Sequence, residues 1–236
     1  MVGPERDITS AFLLVYAGLF PVVNPLGAAP IFLSLTKDFD SIRRSQLVLR
    51  IAMNSFLLLL GSMLCGSYVL EFFGVTIPAV RVAGGAIVAY MGWTLLNGRD
   101  GPSAESSPEK KLSRAGHDGF YPLTLPLTVG PGSISVALTI GAHHASQPFT
   151  AQGALVLGAA LLGLLALAVT IYVAYRFASP LVECLGQTGV DALVRLSAFI
   201  LVCIGVQIAW GGLTELIGSL HGSSLPGLQD TARLTW

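Results

Sequence analysis

Charge is what this chain has least of. Asp, Glu, Lys and Arg make up 11% of its 236 residues, and 53% are hydrophobic. A soluble domain carries about 25% charged residues, so a water-soluble globule is excluded and a membrane protein is expected. The net charge is zero, with no basic stripe and no aromatic–basic interleaving. The electrostatic footprint of a nucleic-acid partner is therefore missing. The three cysteines, Cys65, Cys184 and Cys203, are scattered and offer neither a disulfide framework nor metal-ligand spacing. No Ser/His/Asp set, metal-binding helix motif or phosphate loop occurs. An enzyme, a metal site and a resident cofactor are not expected. The N-terminus lacks a basic region ahead of a short apolar core and has no cleavage signature, so it reads as retained rather than as a signal peptide.

Long apolar runs are what the chain has instead. A spanning helix needs roughly 20 predominantly apolar residues, and six segments qualify: Ile8–Leu35, Leu47–Phe73, Ile77–Leu96, Phe120–Ala142, Ala151–Phe177 and Leu193–Leu220. The only sizeable polar connection, Asn97–Asp118, reads as a flexible loop, and Leu225–Trp236 as a short tail. The expectation is one all-α integral membrane domain over 1–236 with six transmembrane helices. Basic residues mark cytoplasmic loops. The first, third and fifth loops with their flanks hold ten, against Arg6, Arg81 and Arg233 on the other side. Both termini are thus expected on the non-cytoplasmic side.

The first run is interrupted. Phe20–Pro30 reads F-P-V-V-N-P-L-G-A-A-P, with three prolines, an asparagine and a glycine inside an otherwise spanning stretch. Asn is a good N-cap and Pro is pre-set for the first helical position, so the pattern is helix, break, helix. In lipid such a break is tolerated only where the freed backbone groups are buried in protein or line a cavity.

The second half echoes this. Pro126…Gly130-Pro131-Gly132 stands where the first half has Pro21…Asn24-Pro25-Leu26-Gly27, and Glu183…Gly186-Gln187-Thr188 matches Glu71…Gly74-Val75-Thr76. Three spans per half, about 8–96 and 119–220, force the copies into opposite orientations. This is the inverted-repeat layout of secondary transporters, whose sites lie at mid-membrane between discontinuous helices. With helices 1 and 4 broken there, two helix N-termini, each worth about half a positive charge, would converge on one cavity. The expected substrate-binding residues are Asn24, Pro25, Leu26, Gly27, Thr128, Gly130, Pro131, Gly132 and Ser133, with Ser135 adding a hydroxyl. A carboxylate would sit on the half-helix ends, and an ammonium on nearby carbonyls or Asn24.

Other polar groups are read more plainly. Asn54 and Gln207, deep in apolar runs, are expected to bond between helices or line the cavity. Glu71, Arg81, Glu183 and Arg195 read as interface anchors or as Glu–Arg pairs bracing each half. Glu215 lies deeper and is the carboxylate best placed for proton coupling. Gly84-Gly85, Gly92 and Gly153–Gly158 read as helix-packing surfaces.

The two interrupted segments also carry a family resemblance. N-P-L-G-A-A-P-I-F at 24–32 and P-L-T-L-P-L-T-V-G-P-G-S-I-S at 122–135 resemble the two signature segments of the MarC family of six-span membrane proteins. That resemblance implies an inner-membrane protein, related to transporters of small neutral amino acids and grouped with exporters of the LysE type. Many members carry asparagine where this chain has Ala28, a change that removes a possible ligand contact. The expected function is alternating-access transport of small neutral solutes, amino acids foremost, with H+ or Na+ coupling and the lipid bilayer as surroundings. A channel-like facilitator and a non-transporting scaffold or stress-response protein are the alternatives.

Overall fold

The computed structural model describes residues 4–97, 120–145 and 151–222. Most of the polar loop and all of the C-terminal tail lie outside them. Among the described residues every element is helical and no strand occurs. In chain order these are α1 (Pro4–Val23), α2 (Pro25–Leu35), α3 (Ser41–Phe72), α4 (Ile77–Leu96), a π-helical segment (Phe120–Thr128), α5 (Pro131–Ala145), α6 (Ala151–Arg176) and α7 (Ala178–Gly222).

Local chemistry sets most of these boundaries. The second helix starts six residues earlier than hydropathy suggests, at Ser41 instead of Leu47, because Asp40 caps it: its Oδ1 accepts the Ser41 N–H at 2.8 Å. The last helix starts at Ala178 and not at Leu193. Gly186 interrupts it at φ 63°, ψ 175°, an extended positive-φ conformation that only glycine adopts freely. Gly74, its counterpart in the first half, has φ 67° and turns the chain between α3 and α4. Pro78 lies at the start of α4, where its missing N–H costs nothing.

Four of the helices, α3, α4, α6 and α7, contain stretches long and apolar enough to cross a membrane. The pair α1–α2, bent by 41° at Asn24, makes a fifth if taken as one span. The fourth expected span is in two pieces, and the apolar part of α5, Pro131–Ala142, is too short to cross alone.

One continuous core is built by α1, α2, α3, the π-helical segment, α5, α6 and the start of α7. Tyr175, Phe32, Leu19, Ile51, Leu164 and Ile171 are among its fully buried side chains. Leucines and aromatics on the outer surface, such as Leu57, Leu162, Phe199 and Trp210, are exposed in the chain by itself, as lipid-facing residues must be. The α3 and α6 helices pack in opposite directions, with Arg44 at the start of one beside Ser179 just past the end of the other.

The α4–α7 contact is a glycine seam. A Cβ added at Gly92 would lie 2.7 Å from the Ala198 carbonyl oxygen and the Val202 nitrogen; one at Gly205 would lie 2.7 Å from the Gly85 oxygen; one at Gly212 would lie 2.6 Å from the Pro78 oxygen. Residue numbers rise on one helix as they fall on the other, so the two run antiparallel. Absent side chains let the backbones touch, which in lipid, where burial of apolar surface gives no gain, is a main source of helix association. The expected packing role of Gly84, Gly85 and Gly92 is borne out. Among the described residues Gly158 packs on no other helix of this chain, since nothing beyond its own turn lies within 4 Å of a Cβ placed there. Gly92→Leu should therefore lower the melting temperature of the purified protein, at an overpacking cost of about 1–3 kcal/mol or more. Gly61→Ala, at a helical position with open space around it, should leave it unchanged or raise it slightly.

Candidate functional site

The first break is made by Asn24. It stands between α1 and α2 at φ 48°, ψ 57°, and is the one non-glycine residue with positive φ among the described residues. Asparagine tolerates this left-handed conformation better than most residues because its short side chain bonds locally. Here Asn24 Oδ1 accepts the Gly27 N–H at 3.2 Å, the N-cap expected from the sequence. The backbone stays knitted across the bend: Asn24 N–H donates to the Phe20 oxygen at 2.9 Å, and the Asn24 oxygen accepts from Ala28 N–H at 3.0 Å. Pro25 follows, with no N–H to satisfy. Pro25 and Gly27 are buried while Leu26 is exposed, so the first turn of α2 presents an edge to the outside. Substituting a side chain at Gly27 would push into the capping Asn24 amide.

The second break is built differently. Phe120–Thr128 winds as a π-helix, its wider turn closing through the Val129 N–H to the Thr124 oxygen at 2.8 Å. π-Turns are rare and collect at functional sites. Thr128 Oγ1, five residues on from Leu123, donates to that residue's carbonyl at 2.8 Å. Its single proton is thereby used, so the 2.8 Å contact with Tyr175 is a bond from the Tyr175 hydroxyl to Thr128 Oγ1. After Gly130, α5 begins at Pro131. Ser133 is buried, and its hydroxyl donates to the Gly130 oxygen at 2.9 Å. Gly132 is buried against Val88, and Ser135 Oγ donates to the Val80 oxygen at 2.9 Å, fixing α5 on α4.

Tyr175 joins the two breaks, and no local sequence pattern marks it. Its ring stacks on Phe32 of α2 with centroids 4.7 Å apart, while its hydroxyl reaches Thr128. Phe32, Ala28, Ala29, Thr128, Val129 and Tyr175 are all buried. The one signal available was a general one: a buried tyrosine needs a partner for its hydroxyl. Near the end of an apolar run, Tyr175 reads instead as an interfacial aromatic.

The remaining expected residues divide. Asn54 is half-buried on α3, next to Ser55, whose fully buried hydroxyl meets no partner among the described residues. Gln207 is exposed on the outer surface of α7. Glu215 forms an ion pair with Arg81. Arg81 is expected from the sequence to be an interface anchor or to pair with a glutamate of its own half. The carboxylate it meets belongs to the other half, because the antiparallel seam lays the end of α7 over the start of α4. Among the described residues no three His, Cys, Asp or Glu side chains gather as a metal site would require.

The left-handed cap gives a ranked expectation. Asn24→Ala loses the cap, worth about 1 kcal/mol, and also places a Cβ-bearing residue without a local bond in the left-handed region, at a further 1–2 kcal/mol or so. Asn24→Gly loses only the cap. Thermal unfolding in detergent should rank wild type above Asn24→Gly, and Asn24→Gly above Asn24→Ala; equal melting of the two variants would refute the conformational role.

Comparison with known proteins places this geometry in a lineage. The family model for "MarC family integral membrane protein" matches residues 9–217. Proteins named "UPF0056 inner membrane protein MarC" from Escherichia coli, Citrobacter koseri and Shigella flexneri are 31% identical over 220 residues, covering 91% of this chain and 99% of each relative. No solved structure matches. The matched region runs through both breaks and the helices that hold them: the chain belongs to the MarC family of integral membrane proteins.

Proposed function

We propose that this protein is a secondary transporter of small neutral solutes, amino acids foremost, working by alternating access in the inner membrane. Six spans form two inverted halves, α1–α2 with α3 and α4, then the π-helical segment and α5 with α6 and α7. The termini face the non-cytoplasmic side, and H+ or Na+ supplies the coupling.

The observation that carries this reading is the pair of broken helices at matching positions, tied together through Tyr175. Each second piece, α2 and α5, opens on a proline; at α2 Asn24 takes the Gly27 and Ala28 N–H groups, so a ligand would meet the Leu26 N–H there or displace the Asn24 cap, and at α5 it would meet those of Gly132 and Ser133. Such ends attract a carboxylate. The packing supports the inversion. Exchanging the halves turns α1 on α6 into the π-helical segment on α3, and α4 on α5 into α7 on α2. It returns α3 on α6 and α4 on α7 to themselves, and all of these contacts occur. Gly74 and Gly186, equivalent in the sequence repeat, both have positive φ, 67° and 63°. The unpartnered buried hydroxyl of Ser55, beside Asn54, adds a hydrogen-bonding group for a polar solute.

Transport of labelled glycine and alanine into proteoliposomes tests the reading. Saturable uptake, driven uphill by an imposed proton or sodium gradient, is the expected result; passive, non-saturating flux would indicate a channel. Asn24→Asp keeps an acceptor for the Gly27 N–H but sets a negative charge where the solute carboxylate is placed. Like-charge contact costs several kcal/mol, so uptake should fall at least about ten-fold while melting stays near wild type.

A further inference from the structure

A groove of about 400 Å³ lies open on the surface between α3 and α6, and nothing in the transport reading uses it. Leu49, Met53 and Phe56 line one wall, Leu165, Val169 and Tyr172 the other, with Ala52 and Ala168 leaving room at the floor. No polar atom is presented to it. Both walls follow helical spacing, and from Leu49 to Phe56 the groove extends for roughly 10 Å along the helix. That is within the hydrocarbon of one leaflet, about half of a core roughly 30 Å thick.

One end of this groove is basic. Arg176, in the last turn of α6, is exposed four residues beyond Tyr172 and so on the same face of the helix. Arg50 precedes Met53 by three residues on α3. Beyond them, Arg44 is held by the Thr36 oxygen at 2.9 Å and by Ser179 Oγ at 3.5 Å, with its Nε buried and unpartnered among the described residues. Arg43 lies over the Phe39 ring at 5.0 Å. With Lys37 these make five cations, and Asp38 and Asp40 are the acidic residues in the sequence from 37 to 50.

We infer that the α3–α6 groove is a binding site for an anionic phospholipid of the surrounding bilayer, one acyl chain lying along the apolar walls and the headgroup phosphate at Arg176 and Arg50. An apolar cleft too polar-poor for water suits a chain of methylenes. A basic pocket between spans, at headgroup depth, selects for negative charge. The site is separate from the broken helices, and its existence does not depend on transport.

Native mass spectrometry of the delipidated full-length protein, titrated with phosphatidylglycerol or phosphatidylcholine, tests this. Wild type should retain phosphatidylglycerol in preference to phosphatidylcholine. Arg176→Gln and Arg50→Gln should each lower that preference about five-fold. Leu165→Trp, which fills the groove from an exposed position, should reduce retention of both lipids. Equal retention of the two lipids by wild type overturns the proposal, and so does a preference unmoved by the arginine variants. A dimeric mass that Leu165→Trp alone abolishes would also overturn it, by giving the groove to a second copy.

Discussion

In hydrocarbon a backbone N–H or C=O has no water to turn to, and every departure from the α-helix must bring its own partner. The fold is arranged around that constraint. At the first break Asn24 enters the left-handed region, yet its N–H, its carbonyl and its side-chain oxygen are all bonded. At the second break the chain widens into a π-helix, and the Val129 N–H reaches back five residues to the Thr124 oxygen. Thr128 then links that widened turn to Tyr175. Two different devices thus solve the same problem at the two interrupted segments. Each leaves a new helix start inside the apolar zone.

Packing around the breaks follows from the same shortage of water. Helices that gain nothing by hiding apolar surface associate through close backbone approach, and the α4–α7 seam supplies this with facing glycines. The α4 helix carries both sides of the assembly, since Gly84 and Val88 meet α5 while Gly85 and Gly92 meet α7. The Arg81–Glu215 pair closes the end of that seam.

The sequence made the interruptions legible because proline, asparagine and glycine are conspicuous in apolar runs. The Asn24 cap and the start of α5 at Pro131 were read from residue type alone. The helix pair α1–α2 ends at Leu35, as expected, and α4 spans Ile77–Leu96. Hydropathy misplaced the starts of α3 and α7, since both begin in polar or mixed turns that a search for apolar runs passes over. Nothing in the spacing revealed Tyr175, because its role depends on Phe32 and Thr128 arriving from distant parts of the chain. The partner of Arg81 is hidden for the same reason: an ion pair across an antiparallel seam leaves no local pattern.

The proposed transport requires the two breaks to bound one cavity that opens to each side of the membrane in turn. Leu26 and Pro131 are exposed residues at the two helix starts, and they report on it directly. In a background without Cys65, Cys184 and Cys203, Leu26→Cys and Pro131→Cys would be treated with a membrane-impermeant thiol reagent in right-side-out and inverted vesicles. Alternating access predicts that both positions label from both sides and that glycine or alanine slows the labelling. Labelling of each position from one fixed side only, with no effect of solute, would contradict the account.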